Sequence, residues 1–255
     1  MTEMGMMKEN HFIFPDWDVP ANVRAVSTTR LGGFSSGVYS NNNLAFHVAD
    51  DPACVEKNRA HLKTTLALPA EPRWLTQVHS NRVVDVSRDA LDEADEADAS
   101  YGHGSSSPCL VMTADCLPLL LCDKKGQQVA AVHAGWRGLL NDIIENSLGM
   151  FDGENRDVIA WMGPAISQKA FEVGAEVYEA FVQKHDESRA CFQPIGAGKY
   201  MMDIYALAKQ RLNSAGVNAI YGGQYCTFSD ATRFFSFRRD GECGRMATLI
   251  WLDND

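Results

Sequence analysis

The chain has 255 residues, 45% of them hydrophobic and 22% charged, enough to bury a sizeable core as one large domain or two small ones. Lysine and arginine number 23 against 33 acidic residues, a formal net charge of −10. This balance disfavours general binding to phosphate backbones but leaves room for a small anion in a local basic pocket. Apolar runs such as 117–122 are far too short to span a bilayer, and the first ten residues lack the apolar core of a secretory signal. The seven cysteines are an odd number without paired spacing, which points to a reducing, cytoplasmic setting rather than a disulfide frame.

Residues 1–10 are expected to be frayed. A strand is predicted at 23–29, followed by a turn-rich loop through Gly32, Gly33 and Gly37. Asp51-Pro52 carries the cap and first-turn proline of a helix with Val55, Leu62 and Leu66 on one face. Arg59 shares that face, so its guanidinium needs a partner or a ligand. Strands are predicted at 74–78 and 83–86. Residues 91–107, acidic and then rich in glycine and serine, read at least in part as a surface loop. Three apolar runs of strand length follow at 110–113, 117–122 and 128–132. A helix is predicted from Gly138, with Leu140, Ile143, Ile144 and Leu148 on one side, and a buried strand at 158–162. Val177 and Phe181 mark another helix. Asp203 caps a further one, with Ile204, Leu207, Ala208 and Arg211 on a face and Gly216 as its stop. Strands at 234–238 and 247–251 flank a predicted turn at Asp240-Gly241. The irregular alternation favours an α+β fold, with mixed sheets flanked by helices, over a doubly wound parallel sheet.

Three segments could carry chemistry: Gln77-Val78-His79-Ser80, Thr113-Ala114-Asp115-Cys116 and His133-Ala134-Gly135-Trp136-Arg137-Gly138. Each places His79, Cys116 or His133 at the edge of a rigid element. Two imidazoles and a thiolate suit Zn²⁺ and leave a fourth position open, the catalytic pattern. The spacing alone also fits two ordinary strand-end histidines beside a buried thiol, or a Cys–His nucleophile pair. His103, Cys109 and Cys122 are further donors, the two cysteines lying in apolar runs. Gly-Trp-Arg-Gly leads into a helix start, where Arg137, with Arg59, could hold phosphate; the glycines could equally serve only the turn. Asp98 and Asp115 are candidate bases, or partners that orient a ligating histidine. The aromatic–polar alternation of 234–239 is read as a half-buried strand with a basic end.

The motifs STTRLGGFSSGVYSNNNLAFHVADD (27–51), WLTQVHS (74–80), TADCLPLLLCD (113–123), AAVHAGWRG (130–138), WMGPAISQKAFEVG (161–174) and CTFSD…RFFSFRRDGECGR (226–245) occur in order. Through them the chain resembles, nearly end to end, the bacterial laccase-domain or polyphenol oxidase family, also called YfiH-like. The resemblance implies one α+β domain over 11–255, distantly like the cytotoxic-necrotizing-factor deamidases. It implies a zinc site at His79, Cys116 and His133 with Arg59 close by. It also implies phosphorolysis of adenosine, inosine, guanosine and methylthioadenosine, and adenosine deamination. Ala49 and Cys243 depart from the glycine and threonine usual in the family pattern, and Asn42-Asn43 from a more usual Leu-Asn, which puts substrate preference in question more than the metal site.

The leading expectation is a zinc-dependent purine nucleoside enzyme, a cytoplasmic monomer or homodimer, with Cys116, Arg59 and Asp115 as catalytic residues and Arg59 and Arg137 holding phosphate. Asp115 is its candidate proton shuttle. A copper polyphenol oxidase is the alternative. Cu²⁺ could take the same His₂Cys site, although no His-x-His pair occurs to build a multicopper cluster. A metal-free Cys–His hydrolase editing peptidoglycan precursors is the third reading.

Overall fold

A computed structural model describes residues 11–87, 96–104 and 107–253; the segment 1–10 expected to be frayed lies outside them. Strands β1 (Phe12–Ile13) and β2 (Val23–Thr28) open the chain. Helix α1 (Pro52–Thr65) starts where Asp51-Pro52 predicts: the Asp51 carboxylate accepts from the Ala53 N–H at 2.9 Å. Then come β3 (Val83–Asp85), β4 (Ala99–His103), β5 (Cys109–Thr113), β6 (Leu117–Asp123) and β7 (Gln128–Ala134). Short helices α2 (Trp136–Leu140) and α3 (Ile143–Leu148) lead to β8 (Val158–Met162), β9 (Glu172–Gly174) and α4 (Ala175–Lys184). The rest is β10 (Phe192–Gly196), β11 (Lys199–Met202), α5 (Ile204–Ser214), β12 (Ala219–Gly222), α6 (Phe237–Asp240) and β13 (Met246–Leu252).

The fold is α+β with mixed sheets. The largest sheet runs β12-β8-β6-β7-β4-β3, with β12–β8 and β3–β4 parallel and the other pairs antiparallel. A second sheet runs β1-β2-β13-β5, and β10-β11-β9 form a third. Alternation along β6 explains how the layers stack. Leu119 and Leu121 face a core shared with Ile143, Ile144, Phe181 and Leu207 of helices α3 to α5. Leu120 and Cys122 face the second sheet, packing with Val111 and Ile250. The outer face of that sheet, at Val26, Leu110 and Leu249, is covered by Leu62 of α1. The central strands are therefore buried on both sides, which is why they read as unbroken apolar runs.

Three expectations need correction, and a fourth needs finer bounds. Residues 74–78 are not a strand: Thr76 pairs with Glu96 at a single point, and the Gln77 amide docks the segment onto β5 instead. Of the stretch 91–107, read at least in part as loop, residues 99–103 form β4, whose Ala99, Ser100 and Tyr101 are buried, while 91–95 and 105–106 lie outside the described residues. The helix expected from Gly138 begins at Trp136 and breaks at Asp142, where φ is +66°. Lys184 stabilises that break by binding the Leu140 carbonyl and the Asp142 carboxylate. Residues 234–238 are not a strand. Phe234 and Phe235 are both fully buried although adjacent, which alternation forbids, and Ser236 caps α6 by accepting from the Arg239 N–H.

A candidate metal centre at the floor of a basic cavity

Cys116 sits in the turn between β5 and β6, and His133 near the end of β7, where it pairs with Pro118 of β6. Antiparallel pairing of β6 and β7 thus brings the thiol and the imidazole to one end of the central sheet. His79 arrives from the 74–80 segment. Its ring lies 4.8 Å from that of His133, and its Nε2 is 3.8 Å from the Cys116 sulfur. One ligand atom from each of the three residues lies within 4.8 Å of the others. Gly135 follows directly, and a Cβ there would come to 3.0 Å from both the Cys116 sulfur and the His79 ring. The glycine therefore does more than shape a turn, because it leaves room for the Cys116 and His79 side chains.

Asp98 holds this arrangement together. Fully buried, its carboxylate accepts from the backbone N–H groups of Val78, His79 and Ser80 at 3.2, 3.0 and 2.6 Å, from the Ser80 hydroxyl at 2.8 Å, and from His133 Nδ1 at 2.7 Å. It collects three successive backbone donors and fixes His79 with φ at +61°, a conformation that disfavours a non-glycine residue. With Nδ1 engaged, His133 is left to offer Nε2, the arrangement expected of a ligating histidine. Burial pushes the Asp98 carboxyl up, but the hydrogen bonds and charge of His133 and the bonds from Ser80 outweigh it and hold the group at about 2.

Burial likewise acts to raise the Cys116 thiol, and here the charge of His133 and hydrogen bonds from both histidines prevail and lower it. Burial acts to lower His133, and the Cys116 charge and Asp98 raise it. Without a metal both shifts run in the direction that favours a thiolate–imidazolium pair. Cys109 and Cys122, alike in being buried but lacking such neighbours, are pushed up to about 12 and belong to the core. Among the described residues His103 is not part of the metal-capable group, being at the opposite end of β4 from Asp98.

Above the triad lies a cavity of about 440 Å³, walled by Gln77, Met112 and Phe237 and carrying Arg137, Arg245 and His47. Arg137, expected from the sequence, lines it, with its guanidinium over the Trp136 ring at 4.3 Å. Helix α2 has only five residues, so the side chain rather than a helix dipole supplies the positive charge. Arg59 stands outside the lining. Its guanidinium lies 3.6 Å from the Trp74 ring centroid and 4.4 Å from that of Phe46, and its Nε donates to the Leu44 carbonyl. Burial lowers it to about 10, leaving it charged at neutral pH, and its charge acts on His47.

Asp115 is turned away from this cavity. With φ at +95°, it accepts from Thr227 Oγ1, Ser236 Oγ and the Arg238 N–H at 2.6, 3.0 and 2.7 Å, so its carboxylate clamps the 227–238 segment beside Cys116. Arg245, His47 and Phe237 escaped the residue-level reading. Only their places inside the long motifs at 27–51 and 226–245 pointed to them.

Residues 24–253 match the family described as multi-copper polyphenol oxidoreductase laccase. The chain is 46% identical over 243 residues to a purine nucleoside phosphorylase of Haemophilus influenzae, covering 94% of this chain and 99% of that protein. It is also 46% identical over 240 residues to the purine nucleoside phosphorylase YfiH of Escherichia coli, covering 94% and 98%. A crystal structure of a Neisseria meningitidis protein superposes with a TM-score of 0.92 at 45% identity, over 96% of this chain and 100% of that one. YlmD of Geobacillus stearothermophilus superposes at 0.84 with 28% identity, over 92% and 93%. With the same fold and near-complete coverage on both sides, this chain belongs to the laccase-domain, YfiH-like family.

Proposed function

We propose that this protein is a metal-dependent purine nucleoside phosphorylase, with phosphate and nucleoside meeting in the cavity above His79, Cys116 and His133. The observation that carries this reading is the meeting of a soft three-donor set with two arginines in one cavity; the names of the relatives direct it to purines. Two imidazoles and a lowered thiol fit Zn²⁺ best, with Cu²⁺ as the second choice. A bound ion would supply Lewis acidity at the cavity floor.

In phosphorolysis a phosphate oxygen bonds to the ribose C1′ while the C1′–N bond breaks and the purine leaves with that electron pair, taking up a proton. Arg137 and Arg245 hold and orient the phosphate through charge-assisted hydrogen bonds. Arg59 adds positive potential from behind His47. Asp98 keeps His79 and His133 in register, and Asp115 acts as a brace rather than a proton shuttle. The protein works on small molecules in the cytoplasm, as one domain in a monomer or homodimer.

The test is chromatography of products after incubation of zinc-loaded protein with adenosine, with and without phosphate. Adenine formed only with phosphate, and lost on chelation, supports the reading. Inosine formed without phosphate adds deamination in the same pocket. Absence of any product refutes the purine assignment, and activity that survives a chelator favours a Cys116 nucleophile.

A further inference from the structure

Phosphorolysis needs a proton for the departing purine, and Asp115 is turned away from the cavity. Among the described residues that line the cavity, His79, Cys116 and His133 form the candidate metal set, and Arg137 and Arg245 keep their protons. His47 is left, an imidazole on the wall and outside that set. It is exposed, and among the described residues no hydrogen bond, ion pair or ring contact engages its side chain. The loop that presents this free ring is nevertheless pinned. The side-chain NH₂ of the fully buried Asn43 donates to the Ala45 carbonyl at 3.2 Å and to the Asp50 carboxylate at 2.9 Å, bracketing His47. The Asn43 amide oxygen accepts from the backbone N–H groups of Ala45 and Arg245 at 3.1 and 2.9 Å, and the Leu44 N–H donates to the Arg245 carbonyl. One buried amide thus ties the loop of His47 to the backbone of Arg245, and the two side chains face one cavity. A held backbone carrying an unengaged ring suits a group kept for substrate. Desolvation and the charges of Arg245 and Arg59 lower the imidazole from its ordinary value, so it rests neutral at neutral pH and, once protonated, readily gives the proton up.

We propose that His47 is a catalytic residue that carries a proton from the attacking phosphate to the departing purine; this rests on the purine reading above. As an oxygen of dihydrogen phosphate bonds to the ribose C1′, the anion passes a proton to the free nitrogen of His47. The C1′–N bond breaks, its electron pair stays on the purine, and the imidazolium hands a proton to a purine ring nitrogen. The products are ribose 1-phosphate and the neutral base, and the imidazole ends neutral as it began.

The test measures kcat, with phosphate and zinc saturating, for guanosine and 7-methylguanosine in wild type and His47→Ala. Below neutral pH the purine of 7-methylguanosine carries a positive charge and leaves as a neutral base with no proton taken up. The variant should lose about 100-fold on guanosine and less than about threefold on 7-methylguanosine, with matching thermal melts. No loss on guanosine, or a loss on 7-methylguanosine as large as that on guanosine, overturns the relay and leaves the purine reading standing. If wild type refuses 7-methylguanosine, added imidazole decides, on whichever of guanosine and adenosine it takes. Recovery of the variant by about tenfold supports the relay, because a free imidazole replaces the lost one, and no recovery overturns it. No turnover of guanosine or adenosine by the zinc-loaded wild type overturns the purine reading and the relay with it.

Discussion

Replacing Asp98 with asparagine tests whether one buried carboxylate organises the site. The native group accepts five hydrogen bonds with its two oxygens. Asparagine has a single acceptor oxygen, and its NH₂ would face N–H groups that also donate. Two or three bonds to a charged group are lost, each worth about 1.5–3 kcal/mol, and part of that returns by local relaxation. The expected loss of stability is about 3–5 kcal/mol at pH 7, the range for removing one partner of a buried ion pair. The dependence on pH has a definite sign. The carboxyl is held at about 2 against its ordinary 3.8. Its ionised form therefore contributes about 2.5 kcal/mol, present in full above about pH 5 and lost as pH falls through 2. About half of that remains at pH 3, so the gap between wild type and variant narrows on acidification. Guanidinium chloride unfolding of the metal-free proteins at pH 7 and pH 3 measures it, and competitive zinc titration should show affinity weakened about 10–100-fold. A variant within 1 kcal/mol of wild type at pH 7, with zinc affinity intact, would refute the reasoning.

Cys116→Ala should fold normally but bind no zinc tightly; full zinc stoichiometry by elemental analysis would remove Cys116 as a ligand. Arg137→Ala should raise the phosphate KM about tenfold, as expected for one lost charge-assisted contact, with little change in unfolding free energy. Arg59→Ala should do the reverse. Loss of its packing between Trp74 and Phe46 should cost about 1–2 kcal/mol of stability, and the phosphate KM should move less than in Arg137→Ala; steady-state kinetics and denaturation on both variants decide this. In metal-free protein, absorbance at 240 nm should show one thiol ionising near pH 6, absent in Cys116→Ala; a first ionisation above pH 8 would break the Cys116–His133 pairing.

What could be read from the sequence follows from which signals are local. Asp51-Pro52 and Asp203 announce helix starts because a cap needs only its own next few residues, and both carboxylates accept the expected N–H groups. Residues 117–122 and 128–132 announce buried strands because burial on both faces removes polar alternation. The failures share another origin, in which a distant side chain overrides local propensity. Residues 74–78 carry the composition of a strand, yet the Gln77 amide takes both the N–H and the carbonyl of Met112, and Asp98 gathers the next three N–H groups. Residues 234–238 fail likewise, because Asp115 accepts from Ser236 and Arg238 across more than 110 positions. The same two carboxylates set the candidate site: Asp98 holds His79 in its left-handed conformation, and Asp115, itself left-handed, clamps the segment beside Cys116. The strand predictions therefore break where the backbone is diverted to bring the candidate ligands together. Arg59 completes the argument from the opposite side. Its place on an apolar helix face correctly signalled a need for partners, but aromatic rings and a carbonyl satisfy a guanidinium as well as an anion does. Spacing along one helix cannot tell these partners apart, because both aromatics and the carbonyl come from outside that helix.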